Sequence, residues 1–324
     1  MFKTRFTEML GIKYPIMQGS IAFLSRAELT SAVSNAGGLG SLAIAGINTV
    51  DELRDEIRKI KSLTDKPFSV NMPFLPGARP VSHEQMLEVI VTEKVIAVET
   101  TGRIPDNIVQ ILRQNSVKII HKCNKVKFAQ SAEQQGVDVV ALLGFGSDGH
   151  PGMDEISLLV QIPKAVDTLK IPVLVAGSIS DARGFMAALA MGADGVLMGT
   201  RFLTASECPI HPKIREWMLK AQETDTVMVN TLYGNPARRI RNKTAEEVLE
   251  LEKQGAPLEE ILKLLSGVRA FKAWTEGDID GGAFGCGQVI GLINEILPTK
   301  EIIDRIINES KLITQRLNDL ETAE

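Results

Sequence analysis

Short apolar runs alternate with longer stretches of helical periodicity from the N-terminus to about residue 200. Runs bounded by Gly, Pro, Asn or Asp read as strands, and apolar residues spaced three and four apart read as amphipathic helices. The pattern predicts strands at residues 15–19, 39–43, 68–71, 95–99, 117–121, 137–142, 172–176 and 195–198. A helix is predicted over 25–35, with Ser25 as N-cap, Glu28 three residues later and Gly37-Gly38 as the stop. A second helix is predicted over 49–61, and a Pro-rich loop over 72–80.

Eight strand–helix repeats predict a (β/α)8 TIM barrel. An open doubly wound sheet is the rival. No GxGxxG follows the first strand, and Gly-marked or polar strand ends recur along the whole repeat, which a barrel gathers on one face. Beyond Arg201 the pattern changes. Residues 213–266 read as helices with charged faces and no strands. Gly277, Gly281, Gly282, Gly285 and Gly287 then mark a closely approached loop before a helix predicted over 289–296. Pro298 precedes a last amphipathic helix from 300 to about 320. The expected division is a barrel, 1–212, a small helical capping domain, 213–297, and a C-terminal helix, 298–324. Ile302, Ile303, Ile306 and Ile307 form a stripe on that helix, expected to pack on the barrel or on a second subunit of a homodimer.

Candidate chemistry concentrates at the predicted strand ends. Val175-Ala176-Gly177-Ser178 and Leu197-Met198-Gly199-Thr200-Arg201 follow the seventh and eighth strands. Small residues there let backbone N–H groups approach a phosphate, and these are the loops where such barrels commonly hold one. After the sixth strand, Gly144-Phe145-Gly146-Ser147-Asp148-Gly149-His150-Pro151-Gly152 sets one Asp and one His among glycines. His150 could move a proton near neutral pH, or stand as a solvent-facing turn residue. Lys122, next to His121, could stabilise the electron-rich edge of a reduced flavin or an anionic substrate, or be a surface lysine. Asn71 and Gln18 end strands and can both donate and accept, or serve local turns. Met17 reads as core, and His211, between prolines, as structural.

Composition narrows the classes. The 324 residues are 44% hydrophobic and 23% charged, ordinary for a globular chain of one large and one smaller domain. A net charge of -4 gives no basic field for nucleic acid, and the clusters Lys213-Ile214-Arg215 and Arg238-Arg239-Ile240-Arg241 read as solvated faces. Cys123, Cys208 and Cys286 are far apart without CxxC spacing, which argues against a disulfide framework or zinc site and fits a reducing cytoplasm. The N-terminus lacks a signal-peptide core, and no apolar run approaches a membrane span. HExxH, GxSxG and GxxxxGK[ST] are absent, and the four histidines lack metal-binding spacing.

Together these residues resemble the nitronate monooxygenase (2-nitropropane dioxygenase) family of FMN-dependent barrels. The anchors are Tyr14-Pro15-Ile16-Met17-Gln18-Gly19, Asn35-Ala36-Gly37-Gly38-Leu39-Gly40, Val70-Asn71, His121-Lys122, Asp148-Gly149-His150-Pro151-Gly152, Ala176-Gly177-Ser178 and Met198-Gly199-Thr200-Arg201-Phe202. The resemblance implies non-covalent FMN and no metal. Its phosphate would lie on Gly177-Ser178 and Gly199-Thr200, next to Met198. Met17, Gln18, Gly19, Asn71 and Lys122 would line the ring, with Asp148, Gly149 and His150 beside it, His150 facing a small-molecule substrate. The family's Gly-Gly-His loop carries Asp148 here, whose carboxylate is expected to narrow the pocket or raise the pKa of His150. The implied activity is oxidation of alkyl nitronates with O2. The Gly144-Phe145…Gly149-His150-Pro151-Gly152 form and Glu207-Cys208-Pro209-Ile210-His211-Pro212 resemble bacterial members that act as NADH:quinone reductases, with NAD(P)H as co-substrate; FMN-dependent enoyl-ACP reductases are a more distant branch. A flavin-free barrel isomerase or lyase would use the same phosphate loops.

Overall fold

The computed structural model describes residues 2–74 and 81–321. Eight parallel strands alternate with helices: β1 Ile16–Gln18, β2 Gly40–Leu42, β3 Phe68–Phe74, β4 Ala97–Gly102, β5 Lys118–Cys123, β6 Val139–Leu143, β7 Val173–Ala176 and β8 Gly195–Met198. Each pairs with its sequence neighbour from β2 to β8, and β8 pairs with β1. A parallel bridge from Met17 to Leu39 joins β1 to the approach of β2 and brings the sheet round into a barrel. The predicted (β/α)8 TIM barrel is therefore present.

Two apolar layers hold it. Inside, Met17, Leu39, Ile120, Val139, Leu174 and Leu197 fill the barrel. Phe6 and Leu10, on the helix Arg5–Leu10, join that cluster from the N-terminal ends of the strands, where Arg5 pairs with Asp194 at 2.6 Å. Outside, Val70, Val98, Ile119 and Val140 pack against Leu53, Ile57, Ile90 and Leu112 of the surrounding helices. The N-terminal end of the barrel is thereby plugged.

Local departures from the predicted pattern have identifiable causes. Ser25 does not cap the helix Ala27–Asn35; its hydroxyl oxygen accepts hydrogen bonds from Gln18 Nε2 at 2.6 Å and Ile21 N at 2.8 Å. The first N–H of that helix goes instead to Glu56 Oε1 at 2.7 Å, on the neighbouring helix Val50–Leu63, so a tertiary contact replaces the local cap. β3 runs on to Phe74, into the expected loop; residues 75–80 of that loop lie outside the described residues.

The expectation of no strands in 213–266 is corrected. β9 Thr226–Val229 and β10 Ala237–Ile240 form an antiparallel hairpin. Two adjacent arginines in β10 hid the strand, because their charge outweighed its alternation. The hairpin shares a small core with the helices Lys243–Lys253 and Leu258–Leu264, through Val229, Ala237, Val248 and Ile261. The helix expected over 289–296 is a single 3-10 helix, Gln288–Leu292. The last helix, Thr299–Glu321, packs on the helices Ala27–Asn35 and Ala182–Ala190, with Ile302, Ile303, Ile306 and Ile307 buried. Glu207 accepts the N–H of Thr299 at 3.0 Å, and His211 Nδ1 accepts that of Lys213 at 3.2 Å, so the 207–212 segment caps two helices. Among the described residues no helix is long and apolar enough to cross a membrane, and no cluster of His, Cys, Asp or Glu could hold a metal ion.

Candidate active site

A cavity of about 1130 Å³ opens at the C-terminal end of the barrel. Gly19, Asn71, Lys122, Asp148, Gly149, His150, Gly177, Ser178, Met198, Gly199 and Thr200 all contribute to its wall. Met17 and Gln18 do not. Met17 is fully buried inside the barrel. Gln18 spends its amide within the protein: Nε2 donates to Gly19 O and Ser25 Oγ, and Oε1 accepts from Ser41 N at 2.9 Å. It braces β1 against β2 and fixes the path of Gly19.

The β7 and β8 ends form a cradle. Gly177 has φ +95°, and a Cβ there would stand 2.7 Å from the Cβ and 2.9 Å from the N of Ser147. Ser178 follows at φ +59°, a left-handed conformation that a side chain adopts at a cost and that tends to mark functional sites. At Gly199 the opposite holds: chain neighbours aside, no atom of the described residues lies within 4 Å of an added Cβ, so the space beside it is open. Thr200 Oγ1 accepts the N–H of Gly287 at 3.0 Å. Ser147 Oγ is buried with no partner among the described residues. An orphaned hydroxyl, the Thr200 hydroxyl and an open glycine at a helix start suit a phosphate. Ser147 was not singled out from the sequence; its position inside the glycine-rich loop was the available signal.

On the opposite wall stands a charge pair with a member that the sequence reading missed. Glu99, in β4, is fully buried and ion-paired with Lys122 Nζ. Its carboxylate also accepts from Ser41 Oγ at 2.6 Å and from Ser20 N at 3.1 Å. The signal was a carboxylate ending an otherwise apolar run, Val95-Ile96-Ala97-Val98-Glu99. Lys122 is therefore a paired ammonium and not a surface lysine. Asp148 and Arg239 form a second pair at 3.5 Å. Arg103 also lines the cavity, and it has no ion-pair or hydrogen-bond partner among the described residues.

Two histidines face this wall. His121 Nδ1 meets Thr100 Oγ1 at 3.0 Å. Burial, helped by the charge of Lys122, lowers its pKa to about 4. His150 Nδ1 lies 3.1 Å from Pro236 O. A carbonyl can only accept, so Nδ1 carries the proton and Nε2 keeps its lone pair. The His150 pKa is lowered by burial first and by the charge of Arg239 second; the Pro236 carbonyl and Asp148 push upward and are outweighed. Asp148 therefore pushes this pKa upward as expected, but burial and the neighbouring Arg239 outweigh it, so the net shift is downward. The reading of Arg238-Arg239 as a solvated face is corrected: Arg238 is 3% exposed, and donates to Phe145 O at 3.0 Å.

The His121 shift has a consequence for stability. Its folded value lies below its unfolded value near 6.5, so its neutral form costs nothing above pH 6.5. As pH falls from 6.5 to about 4 the unfolded chain takes up a proton that the native state refuses. Wild-type protein is expected to lose about 3 kcal/mol over that window from this group. In urea titrations His121→Asn should remove that part of the slope; an unchanged slope would show that His121 is charged when folded.

A barrel with one plugged end, glycine-marked ends on β7 and β8, and titratable groups lining the same cavity is an enzyme of the cofactor-binding (β/α)8 class. Comparison with known proteins narrows the class. The family model for nitronate monooxygenase matches residues 3–84 and 77–309. A probable nitronate monooxygenase of Staphylococcus saprophyticus is 30% identical, over 97% of this chain and 99% of that one. The chain belongs to the nitronate monooxygenase family and is a flavin-dependent oxidoreductase. The solved structure of FabK from Thermotoga maritima is 35% identical with a TM-score of 0.91, covering 99% of this chain and 100% of that chain. A nitroalkane oxidase from Streptomyces ansochromogenes, 24% identical with a TM-score of 0.83 over 96% of this chain and 99% of its own, shares the fold.

Proposed function

We propose that this protein binds FMN in the cavity and oxidises alkyl nitronates, or the nitroalkanes they come from, with O2 to carbonyl compounds and nitrite. The observation that supports the reading is that His150, its Nδ1 turned to Pro236 O, lines the same cavity as Gly177, Ser178, Gly199 and Thr200. The phosphate would rest on that cradle, with Ser147 and Thr200 donating. The ring would lie between Gly19, Asn71 and Lys122. Bound FMN supplies the electron acceptor that the protein lacks.

The chain's own groups define the rest. A neutral imidazole with Nδ1 fixed on Pro236 presents Nε2 as a base, positioned to take the α-proton of a neutral nitroalkane. A nitronate is already deprotonated and needs an anion site more than a base. Arg103 offers one, being the cation in the wall without a protein partner among the described residues. Lys122, neutralised by Glu99, is held in place rather than free to swing. The three cysteines are free and buried, which is compatible with work in a reducing cytoplasm.

A second reading, NAD(P)H:quinone reduction through FMN, draws support from the Gly144-Phe145 loop form and the 207–212 segment. The FabK likeness is closer than that to nitroalkane oxidase, which keeps reductase chemistry, enoyl-ACP reduction included, in competition. Anaerobic mixing separates them. A nitronate is expected to bleach the visible flavin band rapidly while NADH and NADPH do not. Rapid bleaching by a pyridine nucleotide would replace the first reading with the second.

A further inference from the structure

The loop that carries His150 hangs from the β9–β10 hairpin at four points. Arg238 N donates to Gly149 O at 3.0 Å. The Arg238 guanidinium donates twice to Phe145 O, at 3.2 and 3.0 Å, and lies 4.8 Å from the Phe145 ring centroid. Pro236 O accepts from His150 Nδ1. Arg239 pairs with Asp148. The first two contacts use backbone acceptors that any loop sequence would supply. The last depends on the side chain at 148, where the family's loop has glycine.

Space for that side chain is made by the cap. Arg239 bridges to Gly285 on the glycine-rich segment, and a Cβ at Gly285 would collide with the Asp148 carboxylate. Arg239 itself is 16% exposed, so its charge has little water to turn to if Asp148 is removed.

We propose that Arg239 and Asp148 are positioning residues, whose ion pair ties the histidine loop to the cap hairpin and so aims the His150 Nε2 into the cavity. The inference rests on the reading of His150 as the reacting base. The charges facing His150 are Arg239 from β10, Asp148 from its own loop and Lys122 from β5, the last paired with Glu99. Within the tie the two partners act on the imidazole with opposite sign, which makes the pair testable.

The chain has four histidines, so each imidazole can be followed by NMR in the FMN-loaded protein, with His150 assigned by its absence in His150→Ala. Arg239→Gln leaves Asp148 uncompensated, and the His150 midpoint is expected to move to higher pH. Asp148→Asn leaves Arg239 uncompensated, and the midpoint is expected to move lower. Arg239→Lys, which keeps the charge, is expected to stay near wild type. Amide exchange over residues 144–150 should quicken in both neutral variants and stay slow in His150→Ala, where the pair is intact. The proposal is overturned if both neutral variants shift the midpoint in one direction, if neither shifts it, or if exchange is unchanged. Full turnover in His150→Ala would remove the catalytic reading alone, since titration and exchange report the tie without it.

Discussion

His150→Ala is expected to keep FMN and lose about 10²–10⁴-fold in turnover of a neutral nitroalkane. In the proposed reading the imidazole is the base, its Nδ1 turned to Pro236 O and its ring in the cavity lining, and its removal leaves the β7 and β8 ends untouched. The loss should depend on the substrate. A preformed nitronate has no α-proton to give up, so its turnover should fall far less. Steady-state rates with the two forms of one compound check this. Equal losses would mean that His150 orients the substrate and removes no proton. The wild-type rate with the neutral substrate should fall only below pH 6.5, because burial and Arg239 lower the imidazole's pKa and the base is lost when it is protonated.

Gly199→Val should abolish tight FMN binding while leaving the FMN-free fold within about 0.5 kcal/mol of wild type. Chain neighbours aside, no atom of the described residues stands within 4 Å of a Cβ at this position, and its φ of -99° suits any residue, so the backbone accepts a side chain there. The side chain would instead occupy the space assigned to the phosphate. Gly177→Ala makes the contrast. There the Cβ meets Ser147 at 2.7 Å with φ at +95°, so both stability and FMN affinity should fall. Thermal melts of FMN-free protein, paired with fluorescence titration by FMN, separate the two. If Gly199→Val bound FMN like wild type, the phosphate would have to lie elsewhere.

The barrel was legible because eight apolar runs with regular spacing admit few topologies, and β8 falls at residues 195–198 as expected. The glycine-marked ends of the seventh and eighth strands were legible for the same reason, and both line the cavity. What escaped depended on contacts between distant segments. Ser25 looked like a helix cap because capping is a local pattern; its hydroxyl is bonded to Gln18, seven residues back. Gln18 was assigned to the flavin, yet its amide is consumed by Ser25, Ser41 and Gly19. Arg238 and Arg239 looked solvated because charge predicts exposure, and only the fold shows Phe145 O and Asp148 waiting for them. Glu99 was visible as a carboxylate in an apolar strand, but its partner Lys122 lies one strand over, a relation that needs the sheet register: Thr101 of β4 pairs with Lys122, two residues past Glu99.

The most direct test is a crystal structure of the protein grown with FMN. The phosphate is expected within about 2.7–3.2 Å of backbone N–H groups at both Gly177-Ser178 and Gly199-Thr200, with the ring toward Lys122 and His150. A phosphate held anywhere else in the molecule would contradict the account.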